Sequence, residues 1–224
     1  MKRVVVLLSG GLDSATALYW ARARDYQLTA LSVHYGQRHA RELVAARALA
    51  RRAGADWVSV RLSLPWLRAS SLVDRKQRLP DLPAGRIGKG PIPSTYVPGR
   101  NMVFLSLAAS LADATGAEAV AIGSNAQDFS GYPDCRPEFN AAFQKAARLG
   151  MRRVAEGQRF LLLAPLQRLD KAGIVRLARR LDVPLELTWS CYQGGRRPCG
   201  RCDSCKLRAR GFAAAGVNDP ALSR

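Results

Sequence analysis

Histidine and acid are both scarce in this chain. Only His34 and His39 occur among 224 residues, and 17 aspartates and glutamates stand against 35 lysines and arginines. The two histidines flank Tyr35, Gly36 and Gln37 with no partner pair at ligand spacing, so they read as wall or packing residues rather than metal ligands. No G-x-x-x-x-G-K-[ST] loop is present, because Gly88, Lys89 and Gly90 do not complete one; a loop that grips β- and γ-phosphates with its own lysine is excluded. Long apolar runs are missing too: residues 4–8 and 160–163 are short beside the ~20 that a membrane span needs. The N-terminus has no signal-peptide apolar stretch, so a cytoplasmic protein without a membrane partner is expected. Internal repeats and low-complexity segments are absent as well.

Hydrophobic residues make up 48% of the chain, enough for a substantial core at this length, which excludes disorder. The net charge of +18 invites a nucleic-acid partner through phosphate neutralisation. The basic residues are nevertheless spread along helix faces, without a Lys/Arg block or interleaved aromatics. A solvated basic surface with small anionic ligands is the favoured reading, and nucleic acid the lesser alternative.

The hexapeptide SGGLDS at 9–14 follows a β-branched apolar run and precedes a helical pattern. Two glycines let the backbone approach a pyrophosphate closely, and N–H groups opening the next helix face an anion with the favourable end of its dipole. The arrangement reads as a nucleotide site. Hydrophobic periodicity predicts strands at 2–8, 27–34 and 57–62 alternating with helices at 15–24 and 42–53. Such β-α-β-α-β succession implies an α/β fold, an open parallel twisted sheet flanked by helices, with ligands at the strands' carboxyl ends.

Residues 64–99 break the pattern with six prolines, at 65, 80, 83, 91, 93 and 98, and read as a lid or an interface loop. A helix at 100–114, a strand at 117–122, a polar loop at 123–136, a helix at 137–155, a short apolar segment at 161–164 and a helix at 171–181 follow. Residues 1–187 are read as the main domain and 188–224 as a cysteine-bearing C-terminal segment.

That segment holds Cys191, Cys199, Cys202 and Cys205 in the spacing C-x7-C-x2-C-x2-C. Two overlapping C-x2-C steps turn successive thiolates toward one ion, and a closed shell of four sulfurs suits one structural zinc per chain. An iron–sulfur cluster uses the same ligands and stays the rival. The fifth cysteine, Cys135, reads either as a small buried hydrophobe or as a nucleophile, with no neighbouring base in the sequence to activate it.

SGGLDS resembles the signature of the PP-loop ATP pyrophosphatases, which cleave ATP between the α- and β-phosphates. HYGQRH at 34–39, TYVPGRN at 95–101, GYPDCRPEF at 131–139, SCY at 190–192 and CGRCDSC at 199–205 narrow the resemblance to the 7-cyano-7-deazaguanine synthase family, over residue 4 to about residue 212. The resemblance implies an adenine nucleotide alpha hydrolase-like fold and a homodimer. It implies a ligase that turns 7-carboxy-7-deazaguanine and ammonia into 7-cyano-7-deazaguanine with ATP, in queuosine precursor biosynthesis. The rival within enzymes is a PP-loop tRNA-modifying adenylase.

What the resemblance implies for residues is specific. Leu8, Ser9, Gly10, Gly11, Leu12, Asp13, Ser14 and Ala15 would form the nucleotide site, with Asp13 orienting the loop or holding Mg2+ that accompanies ATP. For Ser14 the plain alternative is a helix cap. Lys171 would contact phosphate, against the alternative of a solvated helix-face charge. Arg100 would stabilise charge on the transferring phosphate. Tyr96, Asn101, Gly123, Asn125, Asp128, Tyr132, Asp134, Arg136 and Glu138 would bind the purine-like substrate; Asp128 or Glu138 suits a guanine-like N–H pair and Arg136 an anionic substituent. Each of the residues from Gly123 to Glu138 could equally be a turn former or a surface charge, while Tyr96 and Asn101 would close the same pocket.

Overall fold

The computed structural model describes residues 2–38, 41–83, 85–126 and 131–222. Val4, Val5 and Val6 form the centre of β1 (Arg3–Leu7), where side chains branched at Cβ fit a pleated surface covered on both faces. With β2 (Gln27–His34), β3 (Asp56–Arg61), β4 (Ala119–Ala121) and β5 (Leu161–Leu163) it makes a wholly parallel sheet in the order β3-β2-β1-β4-β5. The chain runs outward from β1 to β3 and then returns to β4 on β1's other side. Connections therefore leave β1 and β4 in opposite directions, opening a crevice above their carboxyl ends.

Seven helices complete the described residues: α1 (Leu12–Arg22), α2 (Arg41–Ala53), α3 (Arg100–Thr115), α4 (Pro137–Gly150), α5 (Arg152–Ala155), α6 (Lys171–Arg180) and α7 (Asp203–Ala214). Alternation along β1 divides the core. Val4 and Val6 pack with Leu18 of α1, Leu49 of α2, Ile174 of α6 and Phe212 of α7, while Val5 and Leu7 face Leu105 and Ala108 of α3 and Phe160. Alanines at 15, 30, 119 and 121 are buried at the first interface and let helices lie close to the sheet. No helix among the described residues is long and apolar enough to cross a membrane.

Two stretches differ from the sequence expectation. The helix expected over 137–155 breaks at Met151, whose backbone is extended at ψ 130° and whose side chain is buried. Asp113 secures the break by accepting the Arg152 and Arg153 N–H groups at 3.2 and 3.0 Å, capping α5 from α3. The C-terminal tail contains α7, which packs against α6 so closely that a Cβ on Gly211 would lie 2.8 Å from the Lys171 Cβ. Among the described residues of 64–99 the prolines leave one short 3-10 turn, Pro65–Ala69, but Leu67, Leu72 and Val97 pack around Tyr35 in a small core of their own.

Candidate active site and metal centre

β1 ends at Leu7 and the chain turns through residues 8–11 into α1. Gly10 makes that turn at φ 89°, and a Cβ there would sit 2.2 Å from the Glu42 carbonyl oxygen at the start of α2, so the position accepts glycine alone. Ser14 knits the loop. Its Oγ accepts from the Ser9 N–H at 3.2 Å, donates to the Gly11 carbonyl at 3.2 Å and lies 3.0 Å from Ser9 Oγ. The N-cap of α1 is Gly11, without a side-chain cap, so Ser14 is not the helix cap that its plain alternative supposed.

Asp13 is where three elements meet. Its Oδ2 accepts from Lys171 Nζ, at the start of α6, at 2.5 Å and from Asn125 Nδ2, beyond β4, at 3.1 Å. Its Oδ1 is buried with no hydrogen-bond partner among the described residues, an oxygen left for a cation or a donor to claim. Gly123 brings the chain after β4 across α1's first turn; a Cβ there would be 2.9 Å from both Asp13 C and Ser14 N.

The crevice above β1 and β4 is a cleft of about 260 Å³, with Leu31, Val33, Phe104 and Ile122 in its apolar lining. On its far wall Arg100 donates to the Tyr35 hydroxyl at 3.4 Å, and burial holds that phenol above its ordinary pKa, so it stays protonated. Asp134 caps α3 by accepting the Asn101 N–H at 2.8 Å, and the Asn101 amide donates to Cys135 Sγ at 3.0 Å. Tyr132 links this wall to the 64–99 segment through its hydroxyl, 2.9 Å from Thr95 Oγ1.

Cys191, Cys199, Cys202 and Cys205 converge, their sulfurs all within 4.8 Å of one another. Backbone N–H groups of Cys199 and Cys202 donate to Cys191 Sγ at 3.3 Å and Cys199 Sγ at 3.4 Å, which orients these sulfurs and stabilises their thiolate form. The thiols crowd one another. Hydrogen bonds from Cys202 and Cys205 push the Cys191 thiol down, while its contacts with Cys191 and Cys202 push the Cys205 thiol up. A cation at the centre would stabilise four thiolates together, and the donor set fits a metal ion.

The family profile "Queuosine biosynthesis protein QueC" matches residues 3–216. The chain belongs to the QueC family. It is 52% identical over 219 residues to a 7-cyano-7-deazaguanine synthase of Synechococcus elongatus, covering 96% of this chain and 93% of that one. A 7-cyano-7-deazaguanine synthase of an Anaeromyxobacter species is 51% identical over 223 residues, covering 99% and 96%. Among solved structures, NMN synthetase from Francisella tularensis superposes at a TM-score of 0.52 and 18% identity, covering 99% of this chain and 81% of that one, a likeness of fold alone.

In this QueC chain the expected nucleotide-site residues Leu8, Ser9, Gly11, Leu12, Asp13 and Ser14 line the cleft, together with Arg100, Asn101, Gly123, Tyr132 and Lys171. Gly10, Ala15, Tyr96, Asn125 and Asp134 do not line it; Asn125 reaches it through Asp13, and Asp134 through Asn101. Arg136 and Glu138 are exposed at the start of α4 and absent from the lining. Asp128 and His39 lie outside the described residues. The cleft adds Tyr35, Trp189, Ser190, Tyr192 and Arg208. HYGQRH and SCY pointed to the neighbourhood of the first four, whereas Arg208 carried no local signal.

Proposed function

We infer that this chain is a carbon–nitrogen ligase that converts 7-carboxy-7-deazaguanine and ammonia into 7-cyano-7-deazaguanine with ATP, in queuosine precursor biosynthesis. The observation that carries the inference is identity of about one half to 7-cyano-7-deazaguanine synthases over nearly the whole chain. The SGGLDS loop opening onto the cleft supports it.

A carboxylate is a poor electrophile, since its charge is delocalised and its leaving group would be hydroxide. In the proposed sequence a carboxylate oxygen attacks the α-phosphorus of ATP, pyrophosphate leaves, and ammonia then displaces AMP to give the amide. The amide oxygen is adenylated in turn, and loss of AMP with both amide protons leaves the nitrile. One cleft therefore performs two activations.

Backbone N–H groups at 9–12 and the Ser9 and Ser14 hydroxyls would hold the departing pyrophosphate. Lys171 would exchange its Asp13 carboxylate for phosphate, while Arg100 faces the charge that develops on the transferring group. Asp13, with its unpartnered Oδ1, would hold the magnesium ion that accompanies ATP and neutralises phosphate charge. Asn101, Gly123, Asn125, Asp128 and Tyr132 would orient the deazapurine, and Asp134 would act through Asn101; Tyr96, Arg136 and Glu138, proposed with them, do not line the cleft.

For the four cysteines we favour one structural zinc over an iron–sulfur cluster, because sulfurs within 4.8 Å of one another enclose space for a single ion. Residues 188–224 then form the metal-bearing segment beside the ATP-binding part, 1–187. Zinc held by four thiolates suits the reducing cytoplasm proposed for the chain. A homodimer is proposed as well, with 64–99 as lid or subunit contact.

Incubation with ATP, magnesium, ammonium and 7-carboxy-7-deazaguanine should yield the mass of the nitrile, with AMP and pyrophosphate, and Asp13→Ala should abolish turnover. No nitrile, alongside an active control enzyme, refutes the function; ADP and phosphate as sole nucleotide products refute the adenylation mechanism.

A further inference from the structure

The SCY stretch lines the cleft although its cysteine belongs to the metal cluster, and the residue just before it, Trp189, makes contacts in both directions. The Trp189 backbone N–H donates to the Gly10 carbonyl of the nucleotide loop at 2.9 Å. Its indole Nε1–H donates to the Cys191 carbonyl, also at 2.9 Å. The Arg41 guanidinium of α2 lies 4.9 Å over the indole ring and donates to the Arg196 carbonyl at 2.7 Å, within the loop between the first two metal ligands. Gly10 is thus held between the first turn of α2 and a strap that the cysteine cluster closes.

From these contacts we propose that Trp189 is a positioning residue that couples metal occupancy to nucleotide binding. A trans peptide points its C=O and N–H in opposite directions. Anchoring the Gly10 carbonyl on Trp189 therefore also sets the direction of the Gly11 N–H, one of the donors assigned to pyrophosphate. With the cluster filled, residues 191–205 are closed on themselves and hold the indole between Cys191 and Arg41. With the cluster empty that hold loosens, and the Gly10–Gly11 peptide gains freedom that a nucleotide must then remove. Coupling between two bound ligands is reciprocal, so nucleotide must tighten the metal as much as metal tightens nucleotide. The proposal rests on the nucleotide reading given above.

Calorimetric titration of a non-hydrolysable ATP analogue into zinc-loaded and metal-stripped protein should show tighter binding to the loaded form by about tenfold, within the usual span of coupling. Chelator competition should show the analogue raising zinc affinity by the same factor. Trp189→Ala should keep one zinc per chain yet lose both effects and raise the KM for ATP without raising that for 7-carboxy-7-deazaguanine; Trp189→Phe should be intermediate. Equal affinity of loaded and stripped protein, or full coupling in Trp189→Ala, overturns the proposal. If the stripped protein unfolds by circular dichroism, chelator competition on loaded wild type and Trp189→Ala decides alone. An analogue that fails to bind loaded wild type sinks the nucleotide reading along with this one, whereas binding without coupling sinks only this one.

Discussion

Gly10 and Gly11 are neighbours of one type, yet they differ in what they permit. At Gly10 a methyl group would meet backbone atoms at 2.2 and 2.8 Å in a left-handed conformation, and backbone cannot move aside as a side chain can. At Gly11 the nearest atom is Ser9 Oγ at 3.5 Å, ordinary contact. Gly10→Ala is therefore expected to lower stability by about 1–3 kcal/mol or more, the scale of stored backbone strain, and to abolish nucleotide binding. Gly11→Ala should keep the melting temperature and weaken only the nucleotide, by standing in its path. Thermal melts and analogue titration of the two variants check this pair; equal destabilisation would contradict it. Both glycines were conspicuous in the sequence, but which one is sterically obligatory depends on α2, which begins more than thirty residues later.

α7 is the helix that local pattern hid. Its N-cap is Cys202 and Cys205 lies in its first turn, so the metal motif and the helix start are one stretch of chain. Its buried face also includes Arg208, whose fork grips Asp219 at 2.6 and 2.9 Å and reaches Thr188 Oγ1 at 2.8 Å. An arginine in that place reads as a solvated charge until its partners are known. Because Cys202 stands where α7 begins and the four cysteines close the strap, Cys202→Ser should lose metal and stability together. A loss of about 3 kcal/mol or more is expected, ~6–12 °C in melting temperature for a chain of this size. Metal analysis beside calorimetry tests it, and retention of one zinc per chain would contradict it. The β-α-β-α-β half was plain because strands and helices differ in apolar period. The break at Met151 was not, because its cap, Asp113, comes from a different helix.

Across the molecule the strand order places the site where β1 and β4 part, and it brings Lys171 onto Asp13 over 158 residues of sequence. The basic surface also finds part of its explanation. Arg22, Arg51, Arg52, Arg148, Arg179 and Arg180 occupy last turns of helices, where the dipole favours cations. Arg24 and Arg47 stack on Trp20 and Trp57 at 3.9 and 5.6 Å. These placements suit a solvated basic surface. Trp66, Ile92 and Met102 are 63, 55 and 53% exposed in the 64–99 segment and the helix turn after it, apolar side chains that the proposed second copy would cover. Sedimentation should find a dimer that Trp66→Lys with Met102→Lys dissociates, and a wild-type monomer at micromolar concentration would refute that contact.

Hydrophobic period, glycine placement and cysteine spacing are local properties, and from them came the parallel α/β architecture, the SGGLDS turn and the four-sulfur cluster. The union of Asp13 with Lys171 and Asn125, the seat of Trp189 between metal and loop, and the burial of Arg208 came from folding alone. Each depends on residues brought together from distant parts of the chain by sheet order and helix packing, and one-dimensional spacing carries no record of such distances.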